Sequence, residues 1–242
     1  GAGHPLGVGV AVLDVESGEV LALVNGPDRR ELPDPEMEPI IDEAGWLELD
    51  VAGLYGTTPG STIKPMILAA AIAEGLRGRG DEVECTGHYF ADPGSHRCWI
   101  HRPPAFATHG ALDGPQALSQ SCNIFFHRAA DEFDDPARLQ WWLRAFGLGT
   151  APGDVGTLGG GRLPDVARLR ISRGEEVLVG TGQGAMTWTP VQAATAYAAL
   201  FRGGSRPSVR LVRGPAEALA ARADAADAAD AGAAAPPPLE LD

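Results

Sequence analysis

Apolar and polar positions change period several times along the chain, and each change marks an element. In "GVGVAVLDVESGEVLALV" apolar residues alternate through Val8, Val10 and Val12, "ESGE" breaks the run, and "VLALV" resumes it, the pattern of a β-hairpin. Residues 27–50 are acidic, contain proline and lack a period, which predicts a surface loop. From Gly60 an apolar helix is predicted to about Gly75, and residues 81–110 read as loop. "GPQALSQSCNIFFHRAADEF" is predicted to be mostly helical with a break near Ser121. "PARLQWWLRAFGLG" reads as a helix stopped by glycines, and "TPVQAATAYAALFRGG" as another with Pro190 in its first turn. Trp99, Trp141 and Trp142 are expected to pack in the core or subdomain, and the acidic run Asp34 to Glu48 to be solvated rather than to bind metal. "AEALAARADAADAADAGAAAPPP" has almost nothing to bury and reads as a linker or disordered tail, so residues 1–213 are assigned to one partial domain and 214–242 to the tail.

Composition narrows the function classes. The chain has 242 residues, enough for one large domain or two small ones, and 44% of them are hydrophobic, so a buried core is available. The net charge of -13 argues against a nucleic-acid binder, which needs a basic face for phosphates, and no Gly-rich phosphate loop is present, so no nucleic-acid partner is expected. No apolar run is long enough to span a membrane, and no signal peptide is visible; the first residues look like an internal start, so an anchor upstream is expected to lie outside the chain.

The chemistry concentrates around "TTPGSTIKPM", residues 57–66. Of the 19 Lys and Arg residues only Lys64 is a lysine. A serine hydroxyl is a weak nucleophile and needs a base; arginine cannot deprotonate, whereas a buried lysine can. Ser61 and Lys64 stand three residues apart, on one face of a helix start, where free N–H groups and the helix dipole favour a developing oxyanion. Taken alone, Ser-x-x-Lys is as consistent with a solvated serine and a surface lysine. A second stretch, "SQSCNIFFH", offers Ser121 as a proton relay and Asn123 as a positioning amide; a polar loop between helices is the plain alternative.

These stretches together resemble the transpeptidase domain of the class B penicillin-binding proteins, in particular the elongation-type, cell-shape branch. The similarity runs through "GVGVAVLDVESGEVLALV", "AGLYGTTPGSTIKPM", "HGALDGPQALSQSCNIFFHRAA", "FGLGTAPGDVGTLGGGRLP" and "GTGQGAMTWTPVQAATAYAALFRGG", roughly residues 7–213, in the family's order. It implies an α+β fold of the penicillin-binding-protein and serine β-lactamase type: an antiparallel sheet flanked by helices, plus a helical subdomain. It implies a peptidoglycan D,D-transpeptidase that works through a serine acyl-enzyme and is acylated by β-lactams. Ser61 would be the nucleophile, Lys64 the general base, Ser121 the relay and Asn123 the positioning group. Peptidoglycan stem peptides would be the substrates, with membrane proteins of the elongation machinery as partners, on the periplasmic face behind a membrane anchor. "GTGQG" with "TPVQ" matches a family signature and reads as a structural turn that starts a helix.

One family feature is missing. The third motif, Lys-Thr-Gly or a variant of it, would supply a wall of the cleft, and no such motif occurs here. In the family it follows the point where this chain ends, so the chain is expected to be a fragment, incomplete at its C-terminus, without three of five strands and inactive by itself. The alternatives are a non-catalytic penicillin-binding scaffold or a serine β-lactamase.

Cys85, Cys98, His109 and Cys122 form a complete tetrahedral set for a structural zinc, with Cys122 expected to point away from the cleft. The "HG" at His109 is common in the resembled branch. A Cys85–Cys98 disulfide, or three buried thiols, is the other reading, with His88, His96 and His101 as nearby substitute ligands.

Overall fold

The computed structural model describes residues 8–26, 52–53, 56–92, 94–153 and 158–211. The predicted acidic loop and the Ala/Asp/Pro-rich tail lie outside the described residues, apart from the loop's neighbours. In chain order the elements are β1 (Val8–Leu13), β2 (Val20–Gly26), a 3₁₀ turn (Gly60–Ile63), α1 (Lys64–Ala73), β3 (Val83–Cys85), β4 (Gly110–Leu112), α2 (Gly114–Ser119), α3 (Asn123–Asp131), α4 (Pro136–Ala145), α5 (Val166–Ile171), α6 (Arg173–Val179) and α7 (Pro190–Phe201). Strand and helix are both present, as an α+β fold requires. Among the described residues no helix is long and apolar enough to cross a membrane.

The chain divides into two compact units. The first comprises, among the described residues, 8–26, 52–53, 56–57, 146–153, 158–162 and 188–211. Its hairpin pairs β1 antiparallel to β2, with a register shift between Val12 and Leu13. The Asp14 carboxylate closes the turn, accepting from the Ser17 backbone N–H at 2.7 Å and from its hydroxyl at 2.6 Å. Gly18 has φ +71°, and a Cβ there would stand 2.1 Å from the Ser208 carbonyl oxygen, so the turn needs glycine on both counts. The alternation is real, but its faces are unequal. Ala11, Leu13, Val20 and Leu23 pack on Leu158, Val191 and Val209. Val8, Val10 and Val12 look outward, each more than two-fifths exposed.

Helix α7 starts where the sequence places it. Thr189 and Gln192 form a reciprocal capping box with Pro190 in the first turn. Gln192 then does more than cap. Its side-chain amide, buried, donates to the carbonyls of Gly147 (3.0 Å), Thr150 (3.0 Å) and Gly160 (2.6 Å), tying a glycine-rich loop to the helix.

The second unit comprises, among the described residues, 58–92, 94–145 and 163–187. Its core is α1 against α3 and α4, filled by Ile63, Met66, Ile67, Phe125, Phe126, Leu139, Trp142 and Leu143. Glu74, just past α1, accepts from Trp142 Nε1 at 2.5 Å and pairs with Arg138. The buried Arg77 pairs with Glu132 and lies over the Phe125 ring. The helix break predicted near Ser121 is present between α2 and α3.

Four elements go beyond the sequence reading. Residues 81–110, read as loop, carry β3 and, at their end, the start of β4, a three-residue ladder that sets Cys85 opposite Gly110. Such short strands have too few positions to show a period. Helices α5 and α6 are six and seven residues long and equally lack a periodic signature. Their caps were nevertheless visible in sequence: Asp165 accepts from Ala167 N–H, and Ser172 from Glu175 N–H. "GTGQG" follows α6 rather than starting α7; the helix start belongs to "TPVQ" alone. Trp142 is core, as expected, and Trp141 stacks edge-on against it, but Trp99 is 50% exposed, with its indole N–H on the Gln120 carbonyl at 3.0 Å.

Replacing Gln192 with Leu keeps the volume, leaves the buried Gly147 carbonyl and those of Thr150 and Gly160 without their donor, and removes the capping-box acceptor of Thr189 N–H. The expected loss is about 3 kcal/mol or more of unfolding free energy, measured by denaturant titration. A variant within 0.5 kcal/mol or so of the parent would contradict this account of α7.

Candidate functional site

The nucleophile candidate sits at a tightened helix start. Pro59 caps the 3₁₀ turn that begins at Gly60, and the Lys64 backbone N–H donates to the Ser61 carbonyl, giving the turn its i to i−3 spacing. Pro65 follows in the first turn of α1, where its missing N–H costs nothing. Ser61 is exposed, whereas Lys64, three residues on, is 1% exposed.

A buried ammonium needs replacement for its water. Lys64 Nζ donates to the Ser121 carbonyl at 2.8 Å, to Ser121 Oγ at 3.0 Å and to Asn123 Oδ1 at 2.9 Å. The face of Phe126 lies 5.2 Å from the same nitrogen. Burial lowers the Lys64 pKa to about 8, against an opposing electrostatic pull from Cys122 and Cys98. The amine therefore sheds its proton far more easily than a surface lysine.

The backbone at Ser121 makes the clamp possible. Ser121 has φ +51°, a left-handed conformation rare outside glycine and worth about 1–3 kcal/mol of strain. Flanking hydrogen bonds from Ser121 N–H to Leu118 O (3.1 Å) and from Cys122 N–H to Ala117 O (2.9 Å) hold it. In this turn both oxygens of Ser121 reach Lys64, while Cys122 is fully buried among the other cysteines. Asn123 is fixed from the other side, its Nδ2 donating to the Arg97 carbonyl at 3.1 Å, which turns Oδ1 toward Lys64.

A second set of backbone contacts braces the nucleophile turn. Gly60 N–H donates to the Gly182 carbonyl at 2.9 Å, and a Cβ on Gly182 would stand 2.2 Å from the Gly60 oxygen. Gly180 is packed as closely on the Phe126 carbonyl, where a Cβ would sit 2.1 Å away. "GTGQG" thus works as a close-packing surface under Gly60 and α3. Its glycines were the only sequence signal of this role.

Cys85, Cys98, His109 and Cys122 come together from β3, the following loop, the residue before β4 and the residue before α3. Their ligand atoms all lie within 4.8 Å of one another, and all three cysteines are free thiols. Cys98 and Cys122 sulfurs are 4.0 Å apart, and His109 Nδ1 lies 3.4 Å from Cys98 Sγ and 3.6 Å from Cys85 Sγ. A tetrahedral zinc with ordinary bond lengths sets sulfurs about 3.8 Å apart and sulfur from nitrogen about 3.5 Å apart. The donor set and its spacing both fit that ion. Thiol hydrogen bonds from Cys122 and Cys85 hold Cys98 far below the ordinary thiol range, and the same contacts with Cys85 and Cys98 push Cys122 far up. The cluster thus already favours a thiolate. The other histidines are engaged elsewhere: His88 Nδ1 with Phe90 O, His96 Nε2 with Gly174 O and His101 Nδ1 with Ala107 O.

Because Lys64 is the single lysine of these 242 residues, isotope-labelled lysine in this chain places one Nζ resonance on the clamp. Its titration midpoint is expected at about 8, and a midpoint near the ordinary 10.5 would contradict the buried, three-oxygen environment.

Comparison with known proteins agrees with this geometry. The family model described as "Penicillin binding protein transpeptidase domain" matches residues 8–230. Peptidoglycan D,D-transpeptidase MrdA of Acinetobacter baumannii is 28% identical over 225 residues, covering 84% of this chain and 32% of that protein. The MrdA of Salmonella typhimurium strain LT2 is 30% identical over 217 residues, covering 81% of this chain and 33% of that protein. The chain therefore spans about a third of the length of these curated relatives. Among solved structures, the apo transpeptidase domain of Burkholderia pseudomallei penicillin-binding protein 3 superimposes with a TM-score of 0.67 at 23% identity, over 87% of this chain and 54% of that one. A chain from a peptidoglycan synthase complex that coordinates polymerization and crosslinking gives a TM-score of 0.68 at 30% identity, over 85% of this chain and 37% of that one. With the family model covering most of its length and a clamp at the matching motifs, the chain belongs to the penicillin-binding protein transpeptidase domain family.

Proposed function

We propose that the protein carrying this chain is a peptidoglycan D,D-transpeptidase, and that the observation carrying the reading is the buried Lys64 held by Ser121 and Asn123, three residues beyond an exposed Ser61. Neutral Lys64 takes the proton of Ser61 Oγ as that oxygen attacks the carbonyl of the D-Ala–D-Ala amide. The tetrahedral oxyanion forms beside the N–H groups of the tightened helix start. As the intermediate collapses, the C–N bond breaks, and the proton passes from Lys64 through the Ser121 hydroxyl to the leaving D-Ala nitrogen. The stem peptide is then an ester on Ser61. An amine of a neighbouring stem attacks that ester, forms the cross-link amide and releases Ser61. A β-lactam acylates the same oxygen through its strained amide. Asn123 holds Lys64 with one end of its amide and a loop carbonyl with the other, so the amine keeps its aim as its charge changes.

In this reading Cys85, Cys98, His109 and Cys122 hold a structural Zn²⁺. The ion supplies cross-linking of the loop, and no bond of the substrate is made or broken on it. The site works on the periplasmic face, in a protein anchored to the membrane and partnered by membrane proteins of the elongation machinery. The kinship with MrdA proteins and with a synthase complex chain supports this placement.

The full-length protein incubated with benzylpenicillin is expected to gain one penicilloyl mass on the peptide containing Ser61. Ser61→Ala abolishes the adduct, and Lys64→Arg, which keeps the charge but cannot deprotonate, slows it by about 10²–10⁴-fold. No adduct on Ser61 in the parent overturns the transpeptidase reading. Protein purified without chelator is expected to hold stoichiometric zinc, and removing it is expected to lower the melting temperature. Substoichiometric zinc with a Cys85–Cys98 bridge overturns the metal reading.

A further inference from the structure

We propose that Cys98 and Cys122 are a reversible oxidation site, where disulfide formation ejects the metal and disarms the Lys64 clamp; the inference rests on the transpeptidase and zinc readings above. The two sulfurs are 4.0 Å apart, and both side chains are buried. A disulfide needs about 2.05 Å between sulfurs, so closure takes a shift of about 2 Å. Cys98 lies outside the named strands and is held in its loop by a hydrogen bond from its N–H to the Gly87 carbonyl at 2.8 Å. Cys85, in contrast, is fixed in the β3–β4 ladder opposite Gly110. The freer sulfur therefore moves toward Cys122.

Both partners touch the catalytic clamp through the chain itself. Cys122 is the residue between Ser121 and Asn123, which supply all three oxygens around Lys64 Nζ. Cys98 follows Arg97, whose carbonyl fixes the Asn123 amide. A shift of about 2 Å at either sulfur exceeds the tolerance of a hydrogen bond. Closure thus pulls Arg97 off Asn123 or turns the Ser121–Asn123 segment away from Lys64.

The step balances with a hypohalous acid as oxidant. One thiolate sulfur attacks the chlorine of HOCl, forming S–Cl and releasing hydroxide, which takes a proton to become water. The second thiolate displaces chloride and forms the S–S bond. Sulfur loses two electrons in all, and chlorine gains them. Cys85 and His109 alone are too few ligands for zinc, so the ion leaves. His109 is the one half-buried member of the set, and the half-exposed Trp99 ring lies beside it at 6.1 Å, which gives a small oxidant its approach.

The test treats the zinc-loaded full-length protein with near-stoichiometric HOCl. Non-reduced digests are expected to contain a Cys98–Cys122 cross-linked peptide, lighter by two hydrogens. Zinc release, followed with a chromogenic chelator, is expected to rise with it. Acylation by a fluorescent penicillin is expected to fall about tenfold or more, as for the loss of one hydrogen bond to a charged group. A thiol reductant with added zinc is expected to restore both. Sulfinic or sulfonic products at these positions, a different pairing, or a Cys98–Cys122 bridge that leaves acylation unchanged would overturn the proposal. The arms separate the underlying readings. Absent zinc before oxidant sinks the metal reading while the cross-link is still read by mass, and absent acylation before oxidant sinks the transpeptidase reading alone.

Discussion

A lysine amine withdrawn from water must be solvated by the protein, and the second unit is organised around that requirement. Burying Lys64 without partners would cost several kcal/mol. Two side-chain oxygens and a carbonyl meet the need. Delivering both oxygens of Ser121 to one nitrogen demands a left-handed residue, and that residue splits what would otherwise be one helix into α2 and α3. The incomplete solvation leaves a proton that comes off at about 8, within reach of physiological pH. Structure and chemistry thus follow from one compromise.

The cysteine cluster is best understood as the back of that clamp. Alternation of side chains along Ser121, Cys122 and Asn123 puts polar groups on Lys64 and sulfur into the cluster. Whatever stiffens the sulfurs stiffens the general base, and whatever disturbs them reaches it through a single residue. The glycines after α6 act on the other half of the pair. They let backbone meet backbone at Gly60, which fixes the turn that presents Ser61. In the first unit Gln192 plays the comparable part, binding three carbonyls of a glycine-rich loop.

Local signals in the sequence carried most of the helices and the hairpin. Pro65, the Thr189–Gln192 box and the terminal glycines of α4 and α7 act within a few residues, so they can be read without the fold. The same holds for Ser61, Lys64, Ser121 and Asn123, because a nucleophile and its base must keep a fixed spacing. What escaped was short or mutual. The β3–β4 ladder and helices α5 and α6 have too few positions to show a period. The exposure of Val8, Val10 and Val12 could not be assigned either, since alternation marks two faces without saying which one packs. Trp99 was misjudged for a related reason: a large ring is usually buried, and only its neighbours at Gln120 and His109 hold it half in solvent.

The sequence by itself determined which residues have the chemistry: one lysine able to lose a proton, one serine three residues before it, and three cysteines with a histidine. These are properties of side-chain type and of spacing within a turn. Only the tertiary structure decided that the lysine is dry, that Asn123 faces it because Arg97 holds the other end of the amide, and that four ligands 37 positions apart in chain, from Cys85 to Cys122, close to within 4.8 Å. Desolvation and convergence depend on contacts between segments distant along the chain, and no local pattern encodes them.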